Sequence, residues 1–96
     1  MTRRVNHRGW IVLESIPSLL GDQCVDLFET PDGELGFELL RAEPEDVGRW
    51  TAIGGFSDSR FSERREVEAA VVAEVRWVSQ CAEARLALSR WAASSS

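Results

Sequence analysis

The chain has no lysine and no tyrosine, and only one histidine and two cysteines among its 96 residues. Each shortage removes a class of chemistry. Without lysine there is no Schiff-base nucleophile, and without tyrosine a common proton donor is missing. The single histidine, His7, lies in a polar N-terminal stretch with no nucleophile beside it. Cys24 and Cys81 stand 57 positions apart, outside any paired-cysteine or Cys/His spacing, so neither a zinc site nor a redox dithiol is indicated. Two reduced, buried thiols are expected instead, a disulfide between them being open only if the fold brings them together. Phosphate-loop, dinucleotide and EF-hand patterns are absent. Long apolar runs are lacking too. Arg3, Arg4 and Arg8 precede the apolar Trp10–Leu13, but Glu14 and Pro17 cut that run short of a signal-peptide core or a membrane span. The expectation is a non-catalytic protein without cofactor or metal, cytoplasmic and not membrane-bound.

What is present is globular composition: 44% hydrophobic residues, with both signs of charge. A chain this short buries roughly 60 to 65% of its unfolded surface, enough for one thin core. A single domain over 1–96 follows, with a mobile N-terminal arm at about 1–9 and a frayed tail at about 93–96. Charge is unevenly spread. Asp22 to Asp46 holds nine of the sixteen carboxylates and one arginine, a net of −8 in a chain of net −5. A bare phosphate backbone needs a basic footprint, so direct nucleic-acid binding is not expected. An acidic ladder on an ordered scaffold instead steers association with a protein or another cationic surface.

Hydrophobic periodicity supplies the architecture. Cys24–Thr30 and Glu34–Arg41 flank Pro31-Asp32-Gly33, a hairpin signal. In the second strand Leu35, Phe37 and Leu39 alternate with Gly36, Glu38 and Leu40, and the first set is assigned to the core face. A polar loop broken by Pro44 leads to a third strand within Arg49–Phe56, where Gly54-Gly55 marks a bulge or a close approach. Trp10–Glu14 is a candidate fourth strand or a helical turn, and Pro17 is read as opening a short turn or helix. From Glu63 to Ala92 no proline or glycine intervenes, so a helix capped by Ser62 can run 30 residues. The fold class is α+β: a three-stranded, or with the N-terminal strand four-stranded, antiparallel meander packed against one long C-terminal helix.

That helix carries two apolar stripes. Val67, Val71, Val75, Val78 and Ala82 face the sheet, while Trp77, Cys81, Ala84, Leu88 and Trp91 lie about 90° away. A helix of about 45 Å outruns strands of about 23 Å. It must overhang, bend back near Ser79-Gln80, or pack on another chain. The second stripe is therefore either covered by the N-terminal segment or forms a homodimer interface. Arg60, Arg64 and Arg65 crowd the start of the helix, where cations oppose the dipole. They are read either as neutralised by nearby glutamates or as an anion site.

The run VDLFETPDGELGFELLRAEPEDVGRWTAIGGFSDSRF, followed by a helix closing in VRWV, spans Val25 to Trp77. With Phe37, Pro44, Glu45, Asp46, Trp50 and Trp77 as its carriers, it resembles small bacterial β-meander-plus-helix proteins of unknown function. The resemblance implies an architecture and no activity. The functional expectation is a protein-binding or oligomerising regulatory module that presents Asp26, Glu38, Glu43, Glu45 and Asp46 to a protein partner. The rival is a nucleic-acid mimic that inhibits a nucleic-acid-binding protein, in the manner of phage-derived anti-CRISPR proteins. A third reading is RNA or anion binding through Arg60, Arg64 and Arg65.

Overall fold

A computed structural model describes residues 4–94; the first part of the expected arm and the last two residues of the expected tail lie outside that range. Four strands form one antiparallel sheet in the order β1 (Ile11–Pro17), β2 (Gln23–Glu29), β3 (Leu35–Ala42) and β4 (Trp50–Ile53). Three helices follow, α1 (Arg64–Glu74), α2 (Arg76–Gln80) and α3 (Ala82–Ala93). The fold is α+β, and the N-terminal strand is part of the sheet. Pro17 closes β1 instead of opening a helix, which suits an edge strand because proline donates no ladder hydrogen bond.

The β2–β3 turn forms where Asp32-Gly33 marks it, with Gly33 at φ +83° and its N–H donating to the Thr30 carbonyl at 2.9 Å. The strand register fixes the two sheet faces. Ile16, Val25, Leu39 and Ile53 lie in one row, and Leu27 opposes Phe37. This face meets the helices, and the core combines Ile16, Val25, Leu27 and Phe37 with Val67, Val71, Val75 and Val78. The other face carries the rows Ser15–Asp26–Glu38 and Cys24–Leu40–Ala52. β4 stops at Ile53 because Gly54 and Gly55 both take positive φ. That turn sends Phe56 back onto Phe37, with ring centroids 5.2 Å apart.

The single long helix is not formed. The backbone is extended at Val75 (φ −108°, ψ 97°) and at Cys81 (φ −111°, ψ 111°), although neither glycine nor proline is there. A straight 30-residue helix of about 45 Å would exceed the longest dimension of the molecule, 37 Å. The two breaks turn α3 back, so that Ala84, Leu88, Trp91 and Ala92 enter the same core as the first stripe. Burial of apolar side chains at roughly 1.5–3 kcal/mol each outweighs the few helical hydrogen bonds lost at two positions, each worth about 1 kcal/mol net.

Most of the expected dimer surface is thereby covered within one chain. Ala84, Leu88 and Trp91 are buried within one chain, and Trp77 and Cys81 are half-buried against the core.

Folding back also explains the cations at the start of α1. The Arg64 guanidinium donates to the Trp91 carbonyl at 3.0 Å and stacks over the Trp91 ring at 4.7 Å. Its charge thereby sits at the negative pole of α3. The start of α1 is capped by Glu66, whose carboxylate accepts from Ser62 N–H, Ser62 Oγ and Glu63 N–H. The cap residue is Glu63, one position after the expected Ser62. These bonds, led by that from the Ser62 hydroxyl, hold the Glu66 carboxyl below its ordinary value.

Candidate functional site

The acidic segment does not form one surface. A hairpin runs the length of its sheet, so its carboxylates are distributed to both ends and the middle. Glu29, Asp32 and Glu34 lie at the β2–β3 tip. Asp22, Glu43, Glu45 and Asp46 lie at the opposite end, in or beside the β1–β2 and β3–β4 loops. Between them, Asp26 and Glu38 oppose each other across β2 and β3, and each is only 2% exposed. The expectation that Asp26 and Glu38 belong to an exposed acidic face is therefore corrected: they lie under the N-terminal arm.

That arm is docked from Arg4 onward rather than loose. The Val12 N–H donates to the Arg4 carbonyl and the Asn6 N–H to the Trp10 carbonyl, both at 2.9 Å. Trp10 lies on Phe28, ring centroids 4.9 Å apart, and the Arg60 guanidinium stacks over Trp10 at 4.5 Å. The Arg4 guanidinium reaches Asp26 Oδ2 at 3.1 Å, and Ser15 Oγ donates to Asp26 Oδ1. Glu38 fares differently. Both of its oxygens are buried without a hydrogen-bond partner, and His7 Nε2 is 3.6 Å from Oε1. Burial pushes the Glu38 carboxyl above the ordinary carboxylate range; His7 and Arg8 pull against that shift, and Asp26 adds to it. The neighbouring Cys24 thiol is pushed up to about 12, mainly by burial and by the Asp26 charge, which makes it a poor nucleophile. Cys24 and Cys81 are both free thiols.

The three arginines of the expected anion site do not converge. Arg60 donates to the Ser57 and Ser59 carbonyls and packs on Trp10. Arg64 is bound to α3, and Arg65 pairs with Glu68 at 3.0 Å. Arg64 and Arg65 do line a shallow groove between β1 and the start of α1, but Glu29 and Glu63 line it too and oppose an anion there. Arg64→Ala should cost about 1–2 kcal/mol of stability by removing the tie to α3, and Arg65→Ala less than about 0.5 kcal/mol. Denaturant midpoints of the two variants check this; equal effects would contradict the assignment.

The loop end is the place where exposed apolar and acidic side chains meet. The Ala42 N–H donates to the Asp22 carbonyl at 2.9 Å, which ties the two loops together at one end of the sheet. At that end Leu19, Leu20 and Val47 on the loops and Trp50 at the start of β4 are 74%, 90%, 97% and 42% exposed. They account for four of the six large apolar side chains left most exposed among the described residues. Of the rim, Glu43 is held by Thr51 Oγ1 and faces Arg41 at 3.8 Å, and Asp46 faces Arg49 at 3.6 Å. Glu45 has no ion pair among the described residues. Four carboxylates against Arg41 and Arg49 leave this end at −4 + 2 = −2. Leu19, Leu20 and Val47 were not among the site residues expected from sequence; their signal is apolar residues placed in loops flanked by Pro, Gly and Asp.

No family model, curated protein or solved structure matches the chain. Among the described residues no group of three or more His, Cys, Asp or Glu side chains is placed to hold a metal ion. Among the described residues no helix is long and apolar enough to cross a membrane.

Proposed function

We propose that the chain is a non-catalytic, cytoplasmic protein-binding module that engages its partner through the β1–β2 and β3–β4 loops. The observation that carries the reading is that Leu19, Leu20, Val47 and Trp50, all at the loop end of the sheet, are left open to water at the same end as Asp22, Glu43, Glu45 and Asp46. Aliphatic side chains at 74 to 97% exposure on adjoining loops gain nothing for the fold. Desolvating them against a partner yields on the order of 25 cal/mol per Å². An apolar centre with a charged rim is the anatomy of a protein interface. The partner therefore presents an apolar depression bordered by arginine or lysine, which the net negative rim steers and orients.

Glu45→Gln with Asp46→Asn tests the rim, because neither carboxylate supports the fold as Glu43 does. The double variant, immobilised beside the wild type in nuclease-treated bacterial lysate, should retain the same partner about 3- to 10-fold more weakly, with a flatter salt dependence. Unchanged affinity and salt dependence would remove the rim from the interface. Competition by duplex DNA, together with a nucleic-acid-binding partner, would replace this reading with the nucleic-acid mimic.

A further inference from the structure

The outer face of the sheet holds a feature that the fold does not need. Two carboxylates, Asp26 and Glu38, are paired in register and buried. Asp26 is satisfied by Arg4 and Ser15, whereas neither oxygen of Glu38 has a donor. An ionised carboxylate in that position carries most of its desolvation cost uncompensated. Adding a proton removes the charge and with it that cost.

We propose that the segment Arg4–Trp10 is a proton-controlled latch: it lies closed over the sheet while Glu38 is protonated and opens when Glu38 ionises. The charged groups facing Glu38 act in both directions, and burial outweighs those that favour its ionised form. Asp26 on β2 repels the ionised form, and only His7 and Arg8, both on the arm itself, favour it. Arg4 is engaged with Asp26, and the Cys24 thiol on the same face stays neutral. The arm is also built to open. Val5 and the side chains of Arg4 and His7 are each more than half exposed, and the turn Asn6–Gly9 pivots on Gly9 at φ +81°, where a Cβ would meet nothing. Few buried apolar contacts hold it apart from Trp10 on Phe28, so it opens locally while the sheet and helices stay folded.

The direction follows from linkage. The closed state holds the Glu38 proton more tightly than the open state does. Closure is strongest at and below the ordinary carboxylate range and weakens as pH rises toward the elevated value of the closed state. Within that window the closed-to-open ratio falls by up to about tenfold per pH unit. Opening bares Asp26 and Glu38 side by side on the sheet.

Hydrogen exchange by NMR on the full chain, corrected for the intrinsic pH dependence of exchange, reads the latch directly. The reporters are the Val12 and Asn6 amides, which the arm's own hydrogen bonds protect, against the β2–β3 ladder as reference. Their protection relative to the ladder should fall as pH rises above the ordinary carboxylate range, whereas Glu38→Gln should keep it constant. Constant relative protection in the wild type, or a Gln variant that follows the wild type, would overturn the latch. If the Gln variant does not fold, the carboxyl carbon of Glu38 in the wild type must titrate at the midpoint of arm release. Separate midpoints would equally overturn it.

Discussion

Leu88→Ala is expected to lower the stability of the isolated chain by about 2–5 kcal/mol, while Leu86→Ala, two positions away on the same helix, changes it by less than about 1 kcal/mol. The two leucines differ in burial, 0% against 51% exposed. Leu88 is in van der Waals contact on all sides because the breaks at Val75 and Cys81 return α3 to the core, so truncation leaves a cavity that the sheet cannot close. For a domain of this size the loss corresponds to a fall in Tm of roughly 10 °C or more. Thermal unfolding at several protein concentrations discriminates the possibilities. A concentration-independent fall is expected; if Leu88 lay instead on a dimer interface of a continuous helix, the wild-type Tm would itself depend on concentration.

Gly36→Ala is the second severe change, on the opposite face of the sheet. A Cβ at that position would lie 2.6 Å from Phe28 Cζ, 2.8 Å from Phe28 Cε1 and 3.0 Å from the Ser59 carbonyl oxygen. Phe28 is fully buried, under Trp10 and 5.8 Å from the Arg60 guanidinium, so its ring cannot retreat without lifting the arm. Overpacking of this kind costs about 1–3 kcal/mol. It opposes the gain that replacing a strand glycine usually brings. The expected result is a lower denaturant midpoint together with lost protection of the Val12 amide, because displaced Phe28 takes Trp10 with it. A stability equal to wild type with the arm still closed would contradict this packing.

The elements governed by local chemistry were legible from sequence. Asp32-Gly33 specified the hairpin, the alternation of Leu35, Phe37 and Leu39 specified the core face, and Gly54-Gly55 specified the end of β4. The bend left open near Ser79-Gln80 falls at Cys81, but the break at Val75 was not legible, because nothing local there opposes helix; the demand that two stripes share one core decides both. The site was harder to read for a related reason. Sequence adjacency suggested that Asp26, Glu38, Glu43, Glu45 and Asp46 share one face, but strand geometry buries the first two and leaves the other three at the loop end. One signal did point to the buried outer face. Cys24, Phe28 and Leu40 share it with Asp26 and Glu38, and a face that apolar is rarely left wet. The cover, however, comes from Arg4, His7 and Trp10, polar or amphipathic residues whose docking no periodicity announces.

The loop end is the surface proposed to meet another protein. The direct measurement compares capture of a stoichiometric lysate protein by the wild type and by a Leu19→Ser, Leu20→Ser, Val47→Ser variant. Both are first shown to share one denaturant midpoint, since none of the three side chains is buried. The wild type is expected to retain the partner and the variant to lose at least about tenfold of that affinity. Equal capture by the two proteins, or no capture by either, would contradict this proposal.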